Sequence, residues 1–518
     1  MTSAVTVASA NDAGVLTMLT VEDAALFEAP LHLVDDSRLQ ILEVKRYLPG
    51  RRLVGRALWH QQNGAQNVFV KIFYGQAALK YAARDAAGVK QLMANNIATS
   101  PLLAQCASLD KRCEVLILQE IESAENVDAL WHALPLLSEA RLALVLQLVQ
   151  AVAEHHKAGL MQTDLYFKNF IKQNDVMFTL DGDGIVPLPT FNTAAARLKN
   201  ICRLLSKLDA LECHQWLAQC MAHYQQTCGL SANWSRRQYE THIAALRLKN
   251  SHDYADKKVF RTCTDVILNV FSQTHFWVAR AYASATVLGD VEALNAALVT
   301  PAFKSGNTCT VGLMDIPQAN AAQDAKNHQK IVVKRYNIKS TWHAMNRGMR
   351  KTRAAVSWAN AHRLMLLGLP TATPIALLEK RGVFGLVKKE SYFLSAHIDA
   401  PDIAQYFATE HDKAKRAAAV KQVVLLFYRL YLLNLSHGDM KATNIKILDQ
   451  QPVLIDLDSM QQHKCAWFFR RKHARDLKRF MRNWTSGQSK DVSLVRAFMK
   501  VFKVVYADHA PLKLANIE

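Results

Sequence analysis

The chain has no apolar run long enough to cross a bilayer. Its greasiest stretch, Val423 to Leu435, is short and broken by Arg429, and Leu134 to Val152 carries Glu139 and Arg141, whereas a spanning helix needs about 20 apolar residues. No secretory leader is expected, since the first thirty residues lack a basic start and include Asp12, Glu22 and Asp23. Cysteine is sparse and odd in number: nine residues with no C-x2-C pair, which argues against a zinc ribbon and against a complete disulfide framework. Cys213, Cys220 and Cys228 fall in a helical-looking stretch where buried thiols are expected. A reducing, cytoplasmic setting follows, with contact to a membrane surface left open. Acid is scarce too: 44 Asp and Glu against 63 Lys and Arg leave a net charge of +19, so an anionic partner is expected. The densest basic segments are Lys334 to Arg353, which has no acid, and Lys464 to Arg482, which has only Asp476. No recognisable nucleic-acid module interleaves these bases with stacking aromatics, so nucleic acid is not expected.

What the chain does have, it has twice. Gln162-Thr163-Asp164-Leu165-Tyr166-Phe167-Lys168-Asn169 precedes Leu180-Asp181-Gly182-Asp183, and His437-Gly438-Asp439-Met440-Lys441-Ala442-Thr443-Asn444 precedes Ile455-Asp456-Leu457-Asp458. Asn169 follows Asp164, and Asn444 follows Asp439, by five residues; Asp181 and Asp456 lie twelve beyond each Asn. A chain of 518 residues with 50% hydrophobic content is too long for one core. The expected division is a weakly ordered tail over 1–30, a first domain over 31–265 and a second over 266–518.

These residue types recur together for a chemical reason. Phosphoryl transfer from ATP needs a carboxylate that orients the acceptor hydroxyl, with an Asn and a second Asp to hold magnesium on the phosphates. Asp164 and Asp439 fit the first role; Asn169, Asp181, Asn444 and Asp456 fit the second. Upstream lie β-branched and aromatic runs that each carry a lysine, Val68-Phe69-Val70-Lys71-Ile72-Phe73 and Ile331-Val332-Val333-Lys334-Arg335-Tyr336. Strand alternation turns Lys71 and Lys334 to the face opposite their neighbours, within reach of ATP phosphates. Helices are predicted after each, over Ala77 to Ala94 and Arg347 to Leu367. Asp85 on the first is placed to pair with Lys71. Glycine-bearing turns precede each lysine strand: Leu48-Pro49-Gly50-Arg51-Arg52 fits a phosphate approach and a plain hairpin turn equally, and Gly306-Asn307-Thr308 holds the same place in the second half.

The halves also differ. No acid occurs between Arg347 and Leu378, so Lys334 has no helix carboxylate, and Asn360 is the nearest polar candidate. Lys441 follows Asp439 by two residues and is placed to neutralise the transferring group. In the first half Tyr166 holds that position, and Lys168 supplies the cation. Asn200 and Asp476, in matching text further on, are read as structural residues that hold the catalytic loops through backbone hydrogen bonds. Neither half has an Ala-Pro-Glu segment or a long loop for docking a peptide, which favours a small-molecule or sugar hydroxyl as acceptor. Trp467-Phe468-Phe469 is expected in ordinary core, with a membrane interface as the alternative.

Val332-Val333-Lys334-Arg335-Tyr336-Asn337, Ser357-Trp358-Ala359-Asn360-Ala361-His362, Ser436-His437-Gly438-Asp439-Met440-Lys441 and Leu454-Ile455-Asp456-Leu457-Asp458 resemble the bacterial lipopolysaccharide core kinases, which phosphorylate heptose or Kdo sugars. The first half resembles a more diverged member. The resemblance spans about residues 40 to 490. It implies an α+β architecture of two tandem bilobal protein-kinase-like domains, each with a small antiparallel-sheet N-lobe and a helical C-lobe. It also implies ATP and Mg2+ as cofactors and a lipopolysaccharide core or other anionic glycolipid as acceptor. The acceptor's attachment to lipid A implies peripheral work at the cytoplasmic face of the inner membrane. Two rival classes stay open: a phosphotransferase of the aminoglycoside or choline kinase type, which shares the His-Gly-Asp and Ile-Asp wording, and a scaffold in which one or both domains are pseudokinases.

Overall fold

A computed structural model describes residues 30–229, 234–271, 273–299, 304–306, 309–317, 328–337, 351–381, 388–485, 490–507 and 510–515. The tail expected over 1–30 lies outside the described residues except for Pro30, as do Asn307 and Thr308 of the second glycine turn and residues 338–350 of the first basic segment. The chain is mixed α and β with a kinase-like arrangement of elements, and its contacts divide it into two compact units.

In the first unit, strands β1 (Leu31–His32), β2 (Arg38–Leu48), β3 (Arg52–Gln61) and β4 (Gly64–Tyr74) lead to helix α1 (Ala78–Ala94). Strands β5 (Leu102–Ala107) and β6 (Cys113–Gln119) follow. They form an antiparallel sheet in the order β1-β2-β3-β4-β6-β5. Alternation along β4 decides which side chains meet. Val68, Val70 and Ile72 join Leu39, Leu53 and Ile117 in one cluster, while Phe73 faces Ala82 and Ala86 of α1. Lys71, in register with Phe73, shares that helix side. Beyond the sheet come α2 (Glu139–Lys157), the hairpin β7 (Phe170–Gln173) and β8 (Val176–Thr179), and α3 (Thr193–Leu205). Leu48 to Arg52 is the β2–β3 turn: Gly50 has φ of +65°, and Arg51 N–H donates to the Leu48 carbonyl at 3.1 Å. That amide serves the hairpin.

The second unit carries a seven-stranded antiparallel sheet built from β9 (Val266–Phe271), β10 (Thr274–Ala279), β11 (Lys304–Gly306), β12 (Cys309–Pro317), β13 (His328–Tyr336), β14 (Pro374–Arg381) and β15 (Lys388–Ala396). Its order is β9-β10-β14-β15-β13-β12-β11. Ile331 and Val333 of β13 pack with Ile375, Leu378 and Leu394, which leaves Lys334 on the other face. Helix α4 (Arg353–Leu366) begins where the Thr352 side chain accepts from Ala355 N–H at 3.0 Å. Helix α5 (Lys413–Leu432), the hairpin β16 (Ile445–Leu448) and β17 (Gln451–Leu454), α6 (Ala466–Thr485) and α7 (Val492–Tyr506) complete it. Phe427 of α5, Phe480 of α6 and Phe498 and Phe502 of α7 meet largely edge to face with centroids 5.0–5.8 Å apart, and each buried ring contributes roughly 1.5–3 kcal/mol.

The expected division places the boundary at 265, and the partition by contacts stands beside it. Contacts assign residues 244–518 and 209–211 to the second unit, because Trp358 Nε1 donates to the Val259 carbonyl at 3.1 Å and Asp256 pairs with Arg363. No apolar periodicity announces either tie.

Candidate active site

Both catalytic loops are held by the same backbone pattern. In the second unit Lys441 N–H donates to the Asp439 carbonyl at 2.9 Å, Asn444 N–H to the Lys441 carbonyl at 3.0 Å, and Ile455 N–H to the Asn444 carbonyl at 3.0 Å. In the first, Tyr166 donates to Asp164, Asn169 to Tyr166 and Leu180 to Asn169, each at 2.9 Å. The twelve-residue spacing is thereby explained. It is the length of a hairpin, in which Ile445 pairs with Leu454 and Phe170 with Thr179, so the Asn before the first strand and the Asp after the second emerge side by side. Asp449 and Gln450 at the β16–β17 turn both have positive φ, 47° and 63°, the geometry of a tight two-residue hairpin. Asn169 and Asn444 each donate through Nδ2 to the carbonyl of their catalytic Asp at 2.8 Å, which keeps the amide oxygen of each for another partner.

In the first unit Lys71 Nζ lies 2.8 Å from Asp85 Oδ2, 3.0 Å from the Leu180 carbonyl and 3.6 Å from Asp181 Oδ1. Burial is the main influence on Asp85 and lifts its pKa, against the pull of Lys71. A glycine pair allows this approach: a Cβ on Gly88 of α1 would sit 1.9 Å from the Gly182 carbonyl oxygen, so the helix rests directly on the Asp181 loop. A cavity of about 790 Å³ opens there, with Val54, Phe69 and Leu118 on its apolar side and Lys71, Asn169 and Asp181 on its polar side. That volume suits a nucleotide. Lys168 also lines it, but its ammonium lies 5.3 Å from the Tyr166 ring centroid, with Lys207 at 3.7 Å. Asp164 accepts from Asn169 Nδ2 at 3.2 Å and has no ion pair among the described residues.

The second unit solves the missing helix acid differently. Lys334 Nζ lies 2.5 Å from Asp456 Oδ1 and 3.4 Å from Asp458 Oδ2, and Arg353 of α4 donates to the same Asp458 oxygen at 2.6 Å. The helix supplies the cation and the loop the anion. Burial opposes the charge on Lys334, yet Tyr336, Asp456 and Asp458 outweigh it and raise the pKa. Asn360 does not reach Lys334; its Nδ2 donates to the Leu457 and Met460 carbonyls, both at 2.9 Å, and so pins α4 to the loop. Asp456 is in the left-handed region at φ 60°, whereas Asp181 is extended at φ −109°.

Around Asp439 two cations gather: Lys441 Nζ at 3.0 Å and Arg479 Nη2 at 2.5 Å. The loop hangs from Asp476, whose oxygens accept from His437 N–H at 2.7 Å and Gly438 N–H at 3.0 Å. Asn200 does the parallel work through Nδ2, donating to the Gln162 carbonyl at 2.8 Å. Gly438 is at φ +82°, and a Cβ there would lie 2.6 Å from the Ser459 carbonyl oxygen. His437 is fully buried and donates to the Ile455 carbonyl at 3.0 Å, with burial depressing its pKa. Asp458, Arg353 and Arg479 were not among the sequence candidates. The repeated Asp-x-Asp wording and the basic run of α6 were the available signals.

The donors suit a hard divalent cation. The Asn169 and Asp181 pair and the Asn444 and Asp456 pair offer only oxygen ligands, and Asp181 Oδ1 is buried without a hydrogen-bond donor.

Lysine, loop Asp, Asn and hairpin Asp in this order fit the arrangement of a kinase-like phosphotransferase. Residues 318–506 match the model of the lipopolysaccharide kinase (Kdo/WaaP) family. That match lies within the second unit, and the family it describes is one of lipopolysaccharide kinases, which act on a sugar hydroxyl. A solved structure, WaaP in complex with acyl carrier protein, is 17% identical over 41% of this chain and 88% of its own, with a TM-score of 0.29, too loose a likeness to support an inference. No curated protein matches the chain.

Proposed function

We propose that the second unit transfers the γ-phosphoryl group of ATP, with Mg2+, to a heptose or Kdo hydroxyl of the inner core. Asp439 orients that hydroxyl and takes its proton as the new O–P bond forms and the bond to ADP breaks. Lys441 offsets charge on the moving group, Lys334 holds the phosphates, and Asn444 with Asp456 holds Mg2+, which when bound neutralises phosphate charge. The observation that carries this reading is the pairing of Lys334 with Asp456 beside an Asn444 already bonded to the Asp439 loop.

The two units are read as tandem bilobal domains. The first is assigned ATP through Lys71, Asp85, Asn169 and Asp181, with Asp164 and Lys168 in the catalytic positions. Transfer is assigned to the second, because Asp439 has two cations where Asp164 has none among the described residues, and Asp181 is extended where Asp456 is left-handed. The acceptor's lipid anchor would bring the chain to an anionic membrane face as a peripheral protein.

The test is ATP-dependent labelling of purified core oligosaccharide by wild type, Asp164→Asn and Asp439→Asn. Loss of labelling in Asp439→Asn with retention in Asp164→Asn is expected. Full labelling by Asp439→Asn refutes the assignment.

A further inference from the structure

Beside the catalytic loop lies a cavity that the transfer machinery leaves unexplained. It has a volume of about 870 Å³ and is lined by Gly438 and by the cations of α6 from Arg471 to Arg482. Those cations, at 471, 472, 475, 478, 479 and 482, fall on one face of the helix. The opposite face, with Phe469, Leu477, Phe480 and Trp484, is buried in the aromatic core and fixes the basic face outward. One acid, Asp476, borders the cavity, and its carboxylate already accepts from the catalytic-loop amides. Among the described residues, Arg471, Lys472, Arg475 and Lys478 form no ion pair. Crowding like charges on three turns raises the free energy of the folded chain, and a bound polyanion relieves it.

The rim has a different character. Trp467 and Phe468 are 54% and 61% exposed and Leu514 is 55% exposed, with the Arg471 guanidinium 3.7 Å from the Trp467 ring centroid. Of the three aromatics expected in core, only Phe469 is there. An apolar rim above a cationic floor fits an amphipathic polyanion.

We propose that this cavity is an acceptor subsite for a sugar that arrives already carrying two or more anionic groups, at least one of them a phosphate, on residues adjoining the one to be modified. The proposal rests on the reading of the second unit as a sugar kinase. Arg479 links the cavity to the chemistry: it borders the cavity while holding Asp439 Oδ1 at 2.5 Å. An anion in the cavity competes for Arg479 and releases Asp439 to accept the hydroxyl proton. An earlier phosphorylation must therefore supply the substrate.

The experiment uses the full chain, wild type and Arg475→Ser/Lys478→Ser, both positions being exposed. Calorimetric binding of deacylated, phosphorylated inner-core oligosaccharide is measured without ATP, beside the same oligosaccharide after phosphatase treatment. Expected are at least about tenfold weaker binding after phosphatase, a similar loss in the variant, and steep weakening by salt. The acceptor KM should rise by the same factor in the variant, with the ATP KM unchanged and the melting temperature equal to or slightly above that of wild type, since two crowded like charges are removed. Equal binding of the two oligosaccharides overturns the proposal, as does binding to phosphatidylglycerol vesicles without binding to free oligosaccharide. Charge-dependent binding with no turnover by wild type would uphold the cavity while refuting the sugar-kinase reading.

Discussion

Replacing Asp458 by Asn tests the inverted anchoring of the phosphate lysine. The Asp458 side chain is only 5% exposed and lies 3.4 Å from Lys334 and 2.6 Å from Arg353. At an effective dielectric near 20 those pairs attract by about 5 and about 6 kcal/mol before desolvation is counted. Removing the anion lets the two cations recover water, and Arg353 is half exposed, so the net loss should be about 2–3 kcal/mol. For a unit of this size that lowers the melting temperature by roughly 5–10 °C. The functional loss is expected to be larger. Lys334 would turn wholly to Asp456, removing the phosphate contact and engaging a metal ligand, so the ATP KM should rise about tenfold and kcat fall ten- to a hundredfold. The pH dependence follows from the sign of the shift. Burial raises the Asp458 pKa, but Lys334 and Arg353 overcome it and the folded value is depressed. Its stabilisation is therefore present above 3.8 and lost as pH falls through the folded value, and Asp458→Asn should lack that acid-side loss. Steady-state kinetics and thermal melts of Asp458→Asn and Arg353→Gln are the assay. A variant with wild-type ATP KM and melting temperature would refute the anchoring. So would an Arg353→Gln enzyme with the same kcat defect, since that would trace the effect to the seating of α4 and not to Lys334.

Two further outcomes are expected. Gly88→Ala places a methyl 1.9 Å from the Gly182 carbonyl oxygen, forcing α1 off the loop by roughly 1.5 Å at a cost of about 1–3 kcal/mol; binding of a fluorescent ATP analogue by an Asp439→Asn/Asp456→Asn background should drop at least about tenfold, and unchanged binding would count against the first cleft as a nucleotide site. Burial lifts Asp476 to about 6 from 3.8, so its contribution to stability is complete below 3.8 and declines as pH rises through 6. The ionised form holds the catalytic loop, so kcat should fall below about pH 6 while the melting temperature does not, and superimposable pH–rate profiles for wild type and Asp476→Asn would sink that role.

The duplicated wording made both loops legible in the text. Asp164 to Asn169 and Asp439 to Asn444 are local, so spacing alone predicts that each Asn reaches its Asp, and the hairpin between Asn and the second Asp is encoded by a strand-turn-strand of fixed length. Strand alternation likewise placed Lys71 and Lys334 on the helix-facing side. Asp85 was readable because it sits on the next helix at a distance the sheet permits.

Chain order by itself determined the catalytic loops, the lysine strands and the surplus of positive charge. Tertiary packing decided what each charge meets. The Lys334 partner comes from a loop more than a hundred residues away, and no local pattern tells Asp458 from a solvated acid. Burial of the apolar face of α6 turns its cations toward Gly438 while leaving Trp467 and Phe468 in solvent, because helix rotation is set by the aromatic core it covers and not by the composition of its exposed side.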